Sequence, residues 1–179
     1  EFGRDVLVRS VYGLRIDLSL IFAAVPVSMA LGMVLGLSGA LSEWLGSGVQ
    51  RVFDVVVGFP GLLLGICLVV VLGPGWLALF LTIAISGLPT AGRLARSAWL
   101  SQQSREYVLA ARVLGVSRWK VLTRHVAPNA MDSIVVNAAI WMVVAVYIEA
   151  SMSIVGLGVA PPTPSLGVLL NHGMRFVTQ

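Results

Sequence analysis

Long uncharged runs dominate the pattern of hydrophobic and polar positions along this chain. Residues 18–42, 55–92 and 150–174 contain no aspartate, glutamate, lysine or arginine. A helix needs about 20 mostly apolar residues to cross the hydrocarbon core of a bilayer. The first run is long enough for one crossing and the second for two. The pattern therefore predicts a chain that passes through a membrane several times.

The predicted fold is all-α, a polytopic bundle of about four transmembrane helices within a single domain over residues 1–179. The crossings are expected at residues 18–41, 52–72, 75–92 and 134–157. The sequence Gly73-Pro74-Gly75 is typical of a tight turn and separates the second crossing from the third. Pro26 predicts a kink in the first crossing.

The segments around these crossings are more polar. Residues 1–17 are mixed in charge and carry apolar side chains at near-helical spacing, which predicts an amphipathic helix at the outer interface. Residues 43–51 predict a short polar connection, and residues 90–129 a helical cytoplasmic loop. The last part, 158–179, is predicted to be an outer segment. It contains an extended stretch at Pro161-Pro162-Thr163-Pro164 and then at most a short helix.

Composition and charge support a membrane protein and predict its orientation in the membrane. Hydrophobic residues make up 58% of the chain and charged residues 11%, against about 25% charged in soluble domains. Basic residues concentrate in the 90–129 loop: Arg93, Arg96, Arg105, Arg112, Arg118, Lys120 and Arg124. Because basic loops stay on the cytoplasmic side, this loop and residues 43–51 are predicted to be cytoplasmic. Membrane lipid is an expected partner. Nucleic acid is not, since binding it would also require base-stacking aromatic side chains.

Residues 106–128, called the elbow from here on, carry the candidate function. Tyr107, Val108, Ala111 and Leu114 fall on one predicted helical face. Gly115 is predicted to stop the helix that carries this face. The elbow therefore predicts two short helices joined by a turn. Such a shape fits a groove on a partner protein, or an amphipathic helix lying on lipid headgroups, and the pattern alone leaves both open.

Capping residues are predicted at the second half of the elbow. Ser117 is expected to cap the second short helix, and Pro128 to end it after Ala127. Asn129 is expected to cap the helix that follows, with Asp132 three positions on, as in a capping box.

The elbow resembles the cytoplasmic signature of ABC-importer permeases, in which paired alanines precede a glycine and then a proline. Ala110, Ala111, Gly115 and Pro128 fill those places. The fuller form EYVLAARVLG…RHVAPN resembles the dipeptide/oligopeptide/nickel branch, specifically its "C"-type permease of the type I importer fold. FGRDVLVRSVYGLRIDLSL near the start and EASMSIVGLGVAPPTPSLG near the end resemble the same branch. Leu109, where the general signature has glutamate, and Leu166, where this branch often has tryptophan, depart from the pattern.

The resemblance implies that the elbow is the coupling helix of an importer subunit in a bacterial or archaeal cytoplasmic membrane. It implies a homologous second permease subunit, two cytoplasmic ATPase subunits that carry ATP and magnesium, and an external substrate-binding protein. The chain would then form half of the pathway for di- or oligopeptides, with about one more membrane helix at each end. The residues that the resemblance assigns to ATPase coupling are Glu106, Tyr107, Ala110, Ala111, Leu114, Gly115, Arg118, His125 and Pro128.

Other functions have weaker support. No phosphate-binding GxxxxGK[ST] loop is present and no catalytic constellation is apparent, so the chain is not expected to be an enzyme or to bind a cofactor itself. His125 and His172 fall on opposite sides of the predicted membrane, which argues against a shared metal site. A nickel or glutathione permease, a secondary transporter with inverted repeats, a membrane protease and a scaffold subunit are the alternatives.

Polar residues inside the predicted crossings are a second group of candidates. Glu149 and Asn137 lie in the fourth crossing, and Asp54 lies near the cytoplasmic end of the second. An intramembrane carboxyl group is either functional or held by hydrogen bonds. For Glu149 the interpretation we favour is a hydrogen-bonded group that ties two helices together, because an ATP-driven importer needs no proton relay.

Overall fold

The computed structural model describes residues 5–159 and 165–177, and all regular structure within these ranges is helical. The predicted proline stretch at 161–164 lies outside the described residues. The helices are α1 Val6–Leu37, α2 Glu43–Gly58, α3 Gly61–Leu72, α4 Trp76–Gln102, α5 Glu106–Val113, α6 Arg118–Val121, α7 Ala127–Ile154 and α8 Leu166–Val177. A 3-10 turn, Ser38–Ala40, follows α1, and a π-helical turn, Leu122–Val126, joins α6 to α7.

Three helical segments among the described residues are long and apolar enough to cross a membrane: Val6–Ala40, Trp76–Gln102 and Arg118–Ile154. The bent pair formed by α2 and α3 gives a fourth if it is counted as one span. The all-α, polytopic fold predicted from the uncharged runs is therefore confirmed. The turn between the second and third crossings is also confirmed, since Gly73 and Gly75 have φ of 81° and 154°.

The first helix begins earlier than predicted. We expected a separate interfacial helix over residues 1–17, but α1 runs without interruption from Val6 through Pro26 to Leu37. Its start is fixed by Asp5, whose Oδ1 accepts hydrogen bonds from the backbone N–H groups of Leu7 at 2.9 Å and Val8 at 3.3 Å. These bonds satisfy donors that have no partner within the helix. The mixed charge of this segment therefore does not mark a helix boundary.

The second predicted crossing is not one continuous helix. It is interrupted at Phe59 and Pro60, and residues 43–51, predicted as a polar connection, belong to α2. Pro60 has φ −55° and ψ 135° and precedes the first residue of α3. Proline has no N–H to donate, and it disfavours the helical conformation in the residue before it. These two effects account for the break.

The described residues divide into two compact units, residues 5–25, 59–85, 141–159 and 165–177, and residues 26–58 and 86–140. In the first unit α3 approaches its neighbours through Gly65. An added Cβ there would meet the thioether of Met152 and would lie 3.2 Å from Cγ2 of Thr82. In the second unit the backbones of Gly36 in α1 and Gly92 in α4 are in direct contact, and the Phe53 ring of α2 covers Gly92. Small residues allow membrane helices to approach this closely.

Candidate functional site

The elbow begins at a well-defined helix start. The carbonyl oxygen of Arg105 accepts hydrogen bonds from the N–H groups of Val108 at 3.0 Å and Leu109 at 3.1 Å, which opens α5. Glu106 occupies its first turn. A negative side chain there interacts favourably with the positive end of the helix dipole.

The end of α5 is a Schellman motif. Gly115 has φ +75°, and the N–H of Val116 donates to the carbonyl of Ala111 at 3.0 Å. This bond spans the left-handed residue and satisfies a carbonyl that the helix leaves without a partner. Nothing lies within 4 Å of a Cβ added at Gly115, so its backbone conformation, and not crowding, is what requires glycine. The predicted helix stop is confirmed.

The second short helix starts as predicted but does not end as predicted. Ser117 has extended backbone angles, and its hydroxyl accepts the N–H of Lys120 at 3.4 Å, as an N-cap does. Pro128 does not end the helical path, which continues from Arg118 to Ile154. The predicted cap at Asn129 is also wrong, because its amide nitrogen donates to the carbonyl of His125 at 2.7 Å.

The π-helical turn explains how the helix passes Pro128. A proline ring would collide with the carbonyl four residues earlier, which here is that of Arg124. Within Leu122–Val126 the chain widens, and the N–H of Ala127 donates to Leu122, five residues back. The turn thereby accommodates one extra residue. Such π-turns are frequent at functional sites.

One side of the elbow packs inside its unit. Four of its residues are buried: Val108, Val121, Leu122 and Val126. The helical face predicted for Val108 implied a free surface, and the burial of Val108 contradicts this. Tyr107 connects three parts of the chain. Its hydroxyl donates to Oε1 of Gln102 at the end of α4, and its ring lies 5.8 Å from the imidazole of His125, tilted by 55°.

The other side of the elbow is exposed and apolar. Val113 is 87% exposed, Leu114 81%, Trp119 60% and Leu109 48%. Ala110 and Gly115 are exposed beside them, and Ala111 is half-buried. The remaining residues that the resemblance assigns to coupling are also at the surface: Glu106, Tyr107, Arg118, His125 and Pro128. The elbow therefore presents a small-residue, apolar tip on a backbone that is fixed by caps.

Glu149 lies in a second candidate site, a buried polar cluster at the start of α8. The hydroxyl of Ser153, one turn along α7, donates to Oε1 of Glu149 at 2.7 Å. Oγ of Ser153 also lies 3.4 Å from that of Ser165, which accepts the N–H of Val168 at 3.2 Å as the N-cap of α8. Glu149 is thus held by a serine of its own helix, and the link to a second helix passes through two hydroxyl groups.

Asp17 completes the polar cluster, and sequence analysis missed it together with Ser165. Oδ2 of Asp17 accepts the first N–H of α8, that of Leu166, at 3.0 Å, and Asp17 is only 5% exposed. Glycine permits this contact, because a Cβ at Gly13 would lie 3.0 Å from the carbonyl carbon of Ser165. The partners are far apart in sequence, so only the S-L-G sequence at the start of α8 could have indicated a cap.

Asn137, the other intramembrane candidate, is not part of this cluster. Its side chain is half-buried, and its Oδ1 is buried without a hydrogen-bond partner among the described residues. Within the described ranges, no group of three or more histidine, cysteine, aspartate or glutamate side chains is placed to hold a metal ion.

Known proteins are similar to this chain in sequence and in fold. Dipeptide transport system permease protein DppC of Alkalihalophilus pseudofirmus is 34% identical over 178 residues, which cover 99% of this chain and 59% of that protein. Di/tripeptide transport system permease protein DppC of Pseudomonas aeruginosa is 36% identical with the same coverage. Glutathione transport system permease protein GsiD of Pectobacterium atrosepticum is 36% identical, over 96% of this chain and 58% of that protein. The chain thus spans about 59% of the length of the first two relatives.

Two structures of the MetNI methionine ABC transporter in inward-facing conformations share the fold. Their TM-scores are 0.66 and 0.70, and they cover 93% and 98% of this chain at 18% identity. In sequence, residues 28–178 match a family of inner-membrane transport components. Since this match takes in most of the chain, including the elbow, Glu149 and Ser165, the protein belongs to the family of binding-protein-dependent transport system inner membrane components.

Proposed function

We propose that this chain is a permease subunit of an ABC importer and forms half of a translocation pathway for di- or oligopeptides. Two relatives with 34% and 36% identity across 99% of the chain carry dipeptide or di/tripeptide permease names. The homologous second permease, the two ATPase subunits with their ATP and magnesium, and the external binding protein belong to this proposal. So does the assignment of residues 90–129 to the cytoplasmic side.

The exposed tip of the elbow is the observation that carries the coupling role. Val113 and Leu114 are among the most exposed apolar side chains described, at 87% and 81%. They end a helix whose last turn is fixed by the Schellman motif at Gly115. A rigid, apolar, glycine-ended tip fits a groove on a partner protein. In the proposed assembly that groove is on an ATPase subunit.

The inner side of the elbow offers a route from this tip to the membrane helices. The elbow continues through the π-turn into α7. Tyr107 contacts Gln102 at the end of α4 and His125 in the π-turn. A displacement of α5 would therefore act on α4 and α7 together. In this proposal Tyr107 holds the coupling helix in position.

Glutathione is the second candidate substrate. The glutathione permease relative is as similar to this chain as the di/tripeptide permease, at 36% identity. Uptake of a labelled dipeptide and of labelled glutathione by the same reconstituted complex separates the two candidates.

The test of coupling uses the complete importer in liposomes, with Gly115→Val and Ala111→Trp in this subunit. Valine does not readily adopt φ +75°, and tryptophan would hold the docking surfaces apart. Both variants are expected to insert and assemble but to lose at least about 90% of substrate-stimulated ATP hydrolysis and uptake. A tenfold fall in these rates corresponds to about 1.4 kcal/mol of activation free energy. Gly58→Val is the matched control, because no neighbouring atom lies within 4 Å of a Cβ added at Gly58 and the φ of Gly58 is not positive. Normal coupled transport in both elbow variants would show that the elbow does not transmit the ATPase signal.

A further inference from the structure

Helix α2 has three faces of different character. Its packed face carries Phe53 and Gly46, which are buried. Its polar face carries Glu43, Ser47, Gln50, Arg51 and Asp54. Its third face is apolar and exposed: Trp44 is 82% exposed, Leu45 46%, Val52 61% and Val55 64%, with Phe59 at 49% just beyond the helix. At 3.6 residues per turn the four side chains within the helix fall within a sector of about 100°. Val57, also exposed, lies between the packed and polar faces.

The packed face fixes the level of α2 along α4. Phe53 covers Gly92, Oδ1 of Asp54 lies 2.7 Å from Nη2 of Arg93, and the Arg96 guanidinium lies over Gly46. Gly92 is the last residue of the long uncharged run and Arg93 is the first charge after it. The charged boundary of the membrane lies at this position of α4, because the uncharged run ends here and long arginine side chains extend to the headgroups.

Charge opposes a crossing by α2. Arg51 and Asp54 lie in its second half, and the helix ends before Pro60. A helix with one apolar and one polar face at headgroup level meets the conditions for lying in the interface.

We infer that α2 is a membrane-surface helix. It lies in the plane of the lipid headgroups, with Trp44, Leu45, Val52 and Val55 in the acyl-chain boundary and Ser47, Arg51 and Asp54 in water. Its partner is lipid and not another protein chain. At the headgroup level the exposed apolar face contacts acyl chains and the polar face contacts water, so neither face requires a protein partner. An indole at the boundary is also typical of interfacial anchoring. This surface is separate from the elbow and does not depend on the proposed transport function.

Nitroxide labels on single cysteines test the inference in the assembled importer, reconstituted in phosphatidylcholine–phosphatidylglycerol liposomes in a Cys67→Ala background. Labels replace Leu45, Val52 and Val55 in turn. Accessibility to oxygen and to a water-soluble nickel chelate gives the depth of each label. For a helix lying in the interface, the three depths should agree within a few ångströms and fall about 5–10 Å below the headgroups. A label at Ser47, on the polar face, is the matched control and should be more accessible to nickel.

Three results would overturn the inference. A depth that increases by about 15 Å from position 45 to position 55 would show a spanning helix. Immobile labels that neither oxygen nor nickel reaches would show that a protein chain covers the face. Labels more accessible to nickel than to oxygen at all three positions would place α2 in water.

Discussion

At the scale of single residues, Glu149 shows how a carboxyl group within a candidate membrane-spanning helix is accommodated. The Ser153 hydroxyl donates to it within α7, and Ser165 connects that hydroxyl to the cap of α8. Asp17 accepts the first N–H of the same helix. The start of α8 thus receives two side-chain acceptors, and both come from buried residues. Helix ends in such surroundings require partners of this kind.

Substitutions at Glu149 separate a structural role from a transport role. Glu149→Gln keeps an oxygen that can accept the Ser153 hydroxyl, so assembly and uptake are expected to remain near normal. Glu149→Leu removes the acceptor and should lower the stability of the purified complex by about 1 kcal/mol, measured by thermal unfolding. The double variant with Ser153→Ala should lose less than the sum of the single variants, because both remove the same bond. Loss of uptake in an assembled, stable Glu149→Gln complex would contradict the structural role.

The residues that sequence analysis identified correctly are those governed by local rules. The positive φ of Gly115 and the cap of Ser117 follow from neighbours within a few positions. Asp17 was missed because its partner, Leu166, is 149 positions away. Nothing in the sequence near Asp17 distinguishes it from a charge at the end of a crossing. Val108 was misplaced for a similar reason, since what buries it depends on the packing of other elements.

At the scale of elements, the uncharged runs predicted where the chain is apolar but not where its helices end. α4 continues past Gly92 to Gln102, α1 begins before residue 18, and the last span starts in the elbow at Arg118. Hydropathy reports the medium around a segment, whereas caps and prolines decide whether the backbone remains helical. The Pro60 break was missed because the apolar pattern continues across it. The prediction that Pro128 ends a helix failed because the π-turn absorbs it.

The glycine contact between α1, α2 and α4 gives a prediction about packing. Gly92→Ala would press a methyl group against the Phe53 ring and place it 3.0 Å from the carbonyl oxygen of Gly32. Overpacking of this kind is expected to destabilise by about 1–3 kcal/mol, measured as a lower unfolding temperature of the complex. Adding Phe53→Leu should recover part of the lost stability, because the atoms nearest to the added methyl group belong to the Phe53 side chain.

Gly36→Ala is the comparison, since its methyl group would meet the backbone of Gly92. Phe53→Leu should not rescue it. An unfolding temperature of Gly92→Ala equal to that of the unsubstituted complex would refute the close contact.

At the scale of the whole molecule, family membership establishes a polytopic inner-membrane component, and the positive-inside rule supplies its proposed orientation. In a Cys67→Ala background, a cysteine at Ser117 should react with a membrane-impermeant maleimide only after the cells are permeabilised. A cysteine at Pro74, exposed in the turn between α3 and α4, should react in intact cells. Labelling of the Ser117 position from outside would reverse the orientation, and the proposed contact with cytoplasmic ATPases would then be impossible.

The π-turn makes chain length, and not only chemistry, a constraint on this protein. It holds one residue more than an ordinary helical turn between the elbow and α7. Deleting a single residue from Leu122–Val126 would let the helix close normally, and the ring of Pro128 would then collide with the carbonyl four residues earlier and bend or break the helix. The apolar tip would then face a different direction while every side chain in it remained the same. This stretch should therefore accept many substitutions over evolutionary time and yet reject insertions and deletions.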